Sequence, residues 1–240
     1  MPGRGRLIAL EGRSAAGKTT LVRAAVKKFG WTPIGEAFDR LEPAPSLDFD
    51  SSRELLRLER TLLAEEVRRY REAQEVCARG RTVLADTWFL GPVTYTHGLV
   101  SLGRAPASVW RNVERSARAL LRRGALGIPD LTVYLDTTRR ERALHVREDP
   151  ERHPATLVSR HEAVGELERP LFEEVFPSAL PDRFRTLRGR ASPSARATSL
   201  RALVTEADPA PVSAADGLAL LSLVGSSAGD GRPSIVGPNR

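Results

Sequence analysis

Five short apolar runs punctuate the chain, and the longer stretches between them carry apolar residues at helical spacing. The first run, residues 6 to 11, leads through a glycine-rich turn into a segment from Lys18 to about Phe29 patterned as a helix. "WTPIGEAF" reads as a short second strand ending near Glu36. "DRLEPAPSLDFDSS" is rich in Pro, Asp and Ser and reads as a loop, with Ser51 or Ser52 placed to cap the next helix. That helix, about 52 to 79, carries Leu55, Leu56, Leu58, Leu62, Leu63, Val67 and Val76, and Gly80 ends it. "RTVLADTW" predicts a third strand closing at Asp86, "VWRNVERSARALLRRG" an amphipathic helix, and "PDLTVYLDT" a fourth strand ending at Asp136. A helix in "TRRERALHVRED", a polar segment around Pro150 and Pro154, and a helix from about 157 to 176 come next. "DRFRTLRG" supplies a fifth strand, and "SPSARATSLRALVTEA" a last helix behind a serine cap.

Strands alternating with helices imply an α/β fold, a parallel sheet with helices on both faces and a site at the strands' C-terminal ends. The pattern assigns residues 1–207 to one domain. From about Asp208 the composition turns to Pro, Gly, Ser and Ala, so 208–240 reads as a flexible tail. Within it, Leu218 to Val224 is apolar enough to dock on the domain or on a partner.

Composition narrows the classes. In 240 residues no apolar run reaches the ~18 needed to span a bilayer, and the N-terminus enters a strand without a signal peptide's apolar centre, so a cytoplasmic protein without membrane contact is expected. The single cysteine, Cys77, has no partner at metal-ligand spacing. The net charge of +7 comes almost wholly from arginine, the only lysines being Lys18, Lys27 and Lys28. These arginines are dispersed through helices and not interleaved with aromatics, which argues against a nucleic-acid surface. Some should face an anionic ligand. The oligomeric state stays open, a homodimer included.

The glycine-rich turn carries the strongest chemical signal. It fits GxxxxGK[ST] at Gly12, Gly17, Lys18 and Thr19, between a buried strand and a helix, which is the context that makes such a loop a phosphate cradle. Backbone N–H groups along Ser14, Ala15, Ala16, Gly17, Lys18, Thr19 and Thr20 would surround the phosphates at the helix N-terminus. Lys18 would neutralise β- and γ-phosphate oxygens, and the Thr19 hydroxyl would ligate Mg²⁺. ATP and Mg²⁺ are the expected ligands.

Asp86, ending the strand expected beside the loop's own, could hold the metal or orient an acceptor. Glu36, at the end of the second strand, could take a proton from an acceptor hydroxyl. Arg139, Arg140, Arg142, Arg147 and Arg152 lie in or just after the helix behind the fourth strand, where a closing segment can stabilise charge on a transferring phosphoryl group. Arg147 and then Arg152 are the first choices.

Together these stretches resemble the thymidylate kinase-like and deoxynucleoside kinase-like group of P-loop kinases, over about residues 5 to 206. "LIALEGRSAAGKTT" looks like the group's opening strand and phosphate loop, with Glu11 before the first glycine. "GRTVLADTWFLGPVTYTHG" resembles the stretch after its third strand, "PDLTVYLDTTRRERAL" the strand and helix before its arginine-bearing lid, and "LPDRFRTLRGRASPSARATSLRALV" its terminal strand, adenine-contacting loop and final helix. The resemblance implies a P-loop NTPase three-layer sandwich with a five-stranded parallel sheet. It departs at Ser14, where thymidylate kinases usually carry aspartate, and at Thr87, where an arginine usually follows the acidic residue. Glu36 in "GEAF" is similar to the carboxylate that deoxynucleoside kinases use as a base, which implies an acceptor bearing a hydroxyl.

The expected activity is transfer of the γ-phosphoryl group of ATP to a nucleoside, a nucleotide or another hydroxylated metabolite. The alternative, a regulatory ATPase or switch, would need a guanine-reading NKxD segment or a carboxylate pair after the third strand. Asp86 is followed by Thr87 instead.

Overall fold

The computed structural model describes residues 4–43, 51–148, 159–207 and 212–226. Five parallel strands, β1 (Leu7–Glu11), β2 (Thr32–Ile34), β3 (Val83–Asp86), β4 (Leu131–Leu135) and β5 (Phe184–Leu187), form one sheet in the order β2-β3-β1-β4-β5. β1 is central and buried on both faces, as its uninterrupted apolar run requires. Alternate side chains leave the pleat in opposite directions. Ile8, Leu10, Leu84, Val133 and Leu135 pack under α1 (Lys18–Phe29) and α8 (Pro193–Glu206).

Leu7, Ala9, Val83, Ala85 and Tyr134 face the opposite layer. That layer holds α2 (Ser52–Ala78), α3 (Leu90–Ser101), α4 (Ala107–Arg122), α6 (Ser159–Pro170) and α7 (Phe176–Ala179). The expected three-layer α/β sandwich is therefore present. Ser51 caps α2 by accepting from the Glu54 amide, and Ser192 caps α8 by accepting from Ala195.

Three features differ from the sequence pattern. α3 has no counterpart in it, because Leu90, Val93, Thr94, Thr96, His97, Gly98 and Leu99 are all buried and leave no polar stripe to mark a helix. Its Gly98 allows close approach to α6, since a Cβ there would lie 2.8 Å from Val164 Cγ1. The helix expected over 157 to 176 is interrupted at Pro170, where a π-helical turn, Leu171–Val175, precedes α7. That turn seats Phe172 between Tyr134 and Phe176, at ring-centroid distances of 5.4 and 5.2 Å.

The third difference lies inside the stretch whose composition suggests a flexible tail. Residues Ala214–Ser226 form a helix, α9, whose Gly217, Leu220, Leu221 and Val224 are buried against the α3, α4 and α7 side of the molecule. A Cβ at Gly217 would lie 2.8 Å from Leu121, so the absence of a side chain sets how closely α9 approaches α4. The apolar interruption Leu218 to Val224 thus docks on the domain. α5 (Arg139–Glu148) follows β4, capped by Thr138, whose hydroxyl accepts from the Glu141 amide. Among the described residues no helix is long and apolar enough to cross a membrane.

Candidate active site

The turn between β1 and α1 is held by two glycines in conformations that side chains resist. Gly12 has φ +144°, and a Cβ there would come within 3.0 Å of the Leu135 carbonyl. Gly17, at φ +87°, caps α1 in the left-handed region. Ala15, also left-handed at φ 61°, completes the turn that leads into the N-terminus of α1. Lys18 curls back over this loop and donates to the carbonyls of Gly12 (2.9 Å) and Arg13 (3.4 Å).

Parallel pairing of β1 with β3 sets Leu10 opposite Asp86 and so brings Asp86 to the mouth of the loop. The Thr19 hydroxyl donates to Asp86 Oδ2 at 2.5 Å. Asp86 Oδ1 is buried and has no hydrogen-bond partner among the described residues.

Glu36 follows β2 and lies near both Asp86 and Lys18. Burial raises its pKa above the usual carboxylate range, with Lys18 opposing and Asp86 and Asp39 reinforcing the shift. Lys18, Thr19 and Asp86 thus gather at the loop, and Glu36 is close enough for its charge to be coupled to Lys18 and Asp86.

Sequence reasoning missed the group that supports the end of β3. Arg69, from α2, is fully buried; its Nη2 donates to the carbonyls of Asp86 (2.9 Å) and Thr87 (2.8 Å), its Nη1 pairs with Glu66 Oε1 at 2.5 Å, and its guanidinium lies 5.1 Å from the Trp88 ring centroid. Thr87 itself has φ 58°, unusual for a β-branched residue. Arg69 thus braces the end of β3 from α2. No local motif advertised this; the only signal was an Arg and a Glu three apart on the inward face of a long helix.

Glu11 and Trp88 close the other side. The Trp88 amide donates to Glu11 Oε1 at 2.9 Å, and burial raises the Glu11 pKa well above normal against the pull of Lys18. Glu168, from α6, accepts from the Thr94 hydroxyl at 2.7 Å and is pushed up to about 7 by burial, again with Lys18 nearby.

The α5 arginines are less uniform than the sequence suggested. Arg142 is fully buried, donating to the Thr137 carbonyl and, through Nη2, to both oxygens of Glu162 (2.8 and 2.7 Å), so it ties α5 to α6. Arg139, Arg140 and Arg147 are exposed. Arg152 lies outside the described residues. The α5 side chain that touches the loop is His145, whose Nδ1 is 2.8 Å from the Ala15 carbonyl and so carries the donated proton. Arg196 of α8 meets the same rim, with Nη1 3.4 Å from the Ala16 carbonyl.

No protein-family model and no curated protein sequence matches the chain. Solved structures do. Deoxyadenosine kinase from M. mycoides with bound dATP superposes with a TM-score of 0.64 at 12% identity, covering 84% of this chain and 100% of that one. Thymidylate kinase from Candida albicans superposes with a TM-score of 0.63 at 16% identity, covering 88% of this chain and 98% of that one. The fold is that of these kinases. Its P-loop sandwich is preserved over nearly the full length of both structures, although few residues are identical.

Proposed function

We propose that this chain is a phosphotransferase that binds ATP at Gly12–Thr20 and passes the γ-phosphoryl group to a hydroxyl of a small acceptor. The observation that carries the reading is the meeting of Lys18, the Thr19–Asp86 pair and Glu36 around one phosphate loop. The fold shared with a deoxyadenosine kinase and a thymidylate kinase supports it.

In this reading the backbone N–H groups of the loop orient the β-phosphate, and Lys18 exchanges its loop carbonyls for β- and γ-oxygens. Thr19 and Asp86 suit magnesium. They are hard oxygen donors, and Asp86 Oδ1 is buried without a partner among the described residues. Two protein oxygens would leave the ion's other positions to the substrate's phosphates and water. Bound there, the ion would neutralise charge between the β- and γ-phosphates.

Glu36 accepts the proton of the acceptor hydroxyl as its oxygen bonds to the γ-phosphorus and the bond to the β,γ-bridging oxygen breaks, releasing ADP. Burial raises its pKa, which makes it a better proton acceptor than a solvated carboxylate. Arg147 and Arg152 remain the candidate closing arginines. The expected place of action is the cytoplasm, where ATP is supplied.

The test is Lys18→Ala with ADP release from ATP followed across nucleosides, nucleoside monophosphates and other hydroxylated compounds. Acceptor-stimulated release should appear in the native protein and vanish in a variant whose circular dichroism is unchanged. Equal turnover by both proteins would overturn the assignment.

A further inference from the structure

Acidic side chains gather around the C-terminal ends of β1, β2 and β3. Glu11 at the end of β1, Glu36 after β2, Glu66 on α2, Asp86 at the end of β3 and Glu168 on α6 form a connected set. Glu11 accepts from the Trp88 amide and its Oε2 would lie 3.5 Å from a Cβ at Gly91; the Thr94 hydroxyl bonds both the Gly91 carbonyl and Glu168; and Arg69 ties Glu66 to the Asp86 carbonyl. Two of these carboxylates, both almost fully buried, keep an oxygen with no hydrogen-bond partner among the described residues: Glu66 Oε2 and Asp86 Oδ1. An oxygen in that condition calls for a cation or a donor to be brought in.

The nearby guanidinium groups are already engaged. Arg69 is held by Glu66 and by the carbonyls of Asp86 and Thr87. Arg13 bonds Glu166 at 2.5 Å and lies 4.0 Å from Glu162, and Arg142 is bidentate on Glu162. If Lys18 serves the triphosphate and Asp86 the metal, the charged groups left around the strand ends among the described residues are Glu11, Glu36, Glu66 and Glu168, with Arg13 and Arg69 already partnered. A phosphate group on the acceptor would enter a place with acids to repel it and guanidinium groups already committed elsewhere.

We infer that the acceptor is a hydroxyl compound bearing a protonated nitrogen, of the amino-alcohol or amino-sugar type, and that phosphorylated acceptors are excluded. The inference rests on the phosphotransferase reading. The hydroxyl goes to Glu36, and the ammonium group lies between Glu11, Glu66 and Glu168, where it supplies the donor that Glu66 Oε2 lacks and compensates the charge of the carboxylates. Glu168 is the most dispensable of the three for folding, because it is partly exposed and its hydrogen-bond partner is the Thr94 hydroxyl.

The experiment uses matched probes: 2-deoxystreptamine and glucosamine as aminated polyols, glucose and thymidine as neutral acceptors, and dTMP as the phosphorylated one. ADP release from ATP is measured with each, and binding of each to the full chain loaded with a non-hydrolysable ATP analogue is measured by calorimetry. An aminated probe should bind and be turned over at least about tenfold better than its neutral counterpart, and dTMP should do neither. In Glu168→Gln the preference should fall below about twofold. Stimulation or binding by dTMP equal to that of the amines, or no binding by any amine, overturns the inference. Failure of the phosphotransferase reading appears differently, as ADP release that no probe stimulates; the calorimetric comparison then still decides the charge preference.

Discussion

The imidazole of His145 on α5 reaches the carbonyl oxygen of Ala15 at 2.8 Å, joining the helix behind the fourth strand to the phosphate loop. The contact fixes the ring's tautomer and holds α5 down over the loop. His145→Ala removes one hydrogen bond worth about 0.5–1.5 kcal/mol, so the KM for ATP should rise roughly two- to tenfold with a smaller change in kcat. Steady-state kinetics with ATP varied at saturating acceptor would show this. A fall in kcat alone would place His145 in the chemistry instead.

Glu36→Gln keeps the size of the side chain and abolishes its basicity. If Glu36 takes the acceptor's proton, kcat should drop by about 10²–10⁴-fold while ATP affinity, read by calorimetry, stays near the native value. Intact turnover would remove Glu36 from the mechanism.

Arg69→Met leaves Glu66 as a buried, unpaired acid and strips support from the Asp86 and Thr87 carbonyls. A loss of about 3–5 kcal/mol is expected in urea unfolding. The double variant Arg69→Met with Glu66→Leu should recover a large part of that loss, because it removes the orphaned charge. A double variant as unstable as the single one would mean that the carbonyl contacts, not the ion pair, hold the strand end.

Glu59, buried on α2 and hydrogen-bonded with Thr96, has its pKa pushed up to about 8 by desolvation. The unfolded chain releases this proton near pH 4.5, whereas the folded chain keeps it to about 8. Between those values the native state binds more protons, so stability falls as pH rises. Glu66 and Glu168, each pushed up to about 7, slope the same way. Glu59→Gln should flatten the decline between pH 5 and 8, gaining about 3–5 kcal/mol relative to the native protein at the upper end. Denaturant titrations at several pH values measure it directly.

Ending the chain at residue 207 removes α9 and uncovers the surface on which Leu220, Leu221 and Val224 are fully buried. The urea midpoint should fall by the equivalent of a few kcal/mol, since each of these side chains contributes about 1.5–3 kcal/mol as an upper bound. An unchanged midpoint would show the helix to be an adornment.

The order of the strands, the strand–turn–helix around Gly12–Thr19 and the nearness of Asp86 to that turn were legible because each depends on residues near in sequence or on one strand-to-strand register. α3 was not, since a helix with buried residues spread around it has little periodicity to betray it. Nor was α9: its apolar heptad Leu218 to Val224 was visible, but the surrounding Pro, Gly and Ser outweighed it in a compositional reading. Arg69, His145 and Glu168 escaped for a different reason. Each reaches the site from a helix face far away in sequence, and only the packing of those helices onto the sheet gives them their neighbours. The α5 arginines show the converse, because Arg142, one of several equivalent in sequence, turns out to be a strut bound to Glu162.

Lys18 bends back onto the carbonyls of Gly12 and Arg13. Anion capture at this loop is therefore an exchange of partners, in which an incoming oxygen must replace contacts the ammonium group already has. A lone inorganic phosphate gains little from that trade. In the proposed phosphotransferase a polyphosphate would engage the row of loop amides at the same time and tip the balance, so the lysine's own contacts would set a threshold against smaller anions.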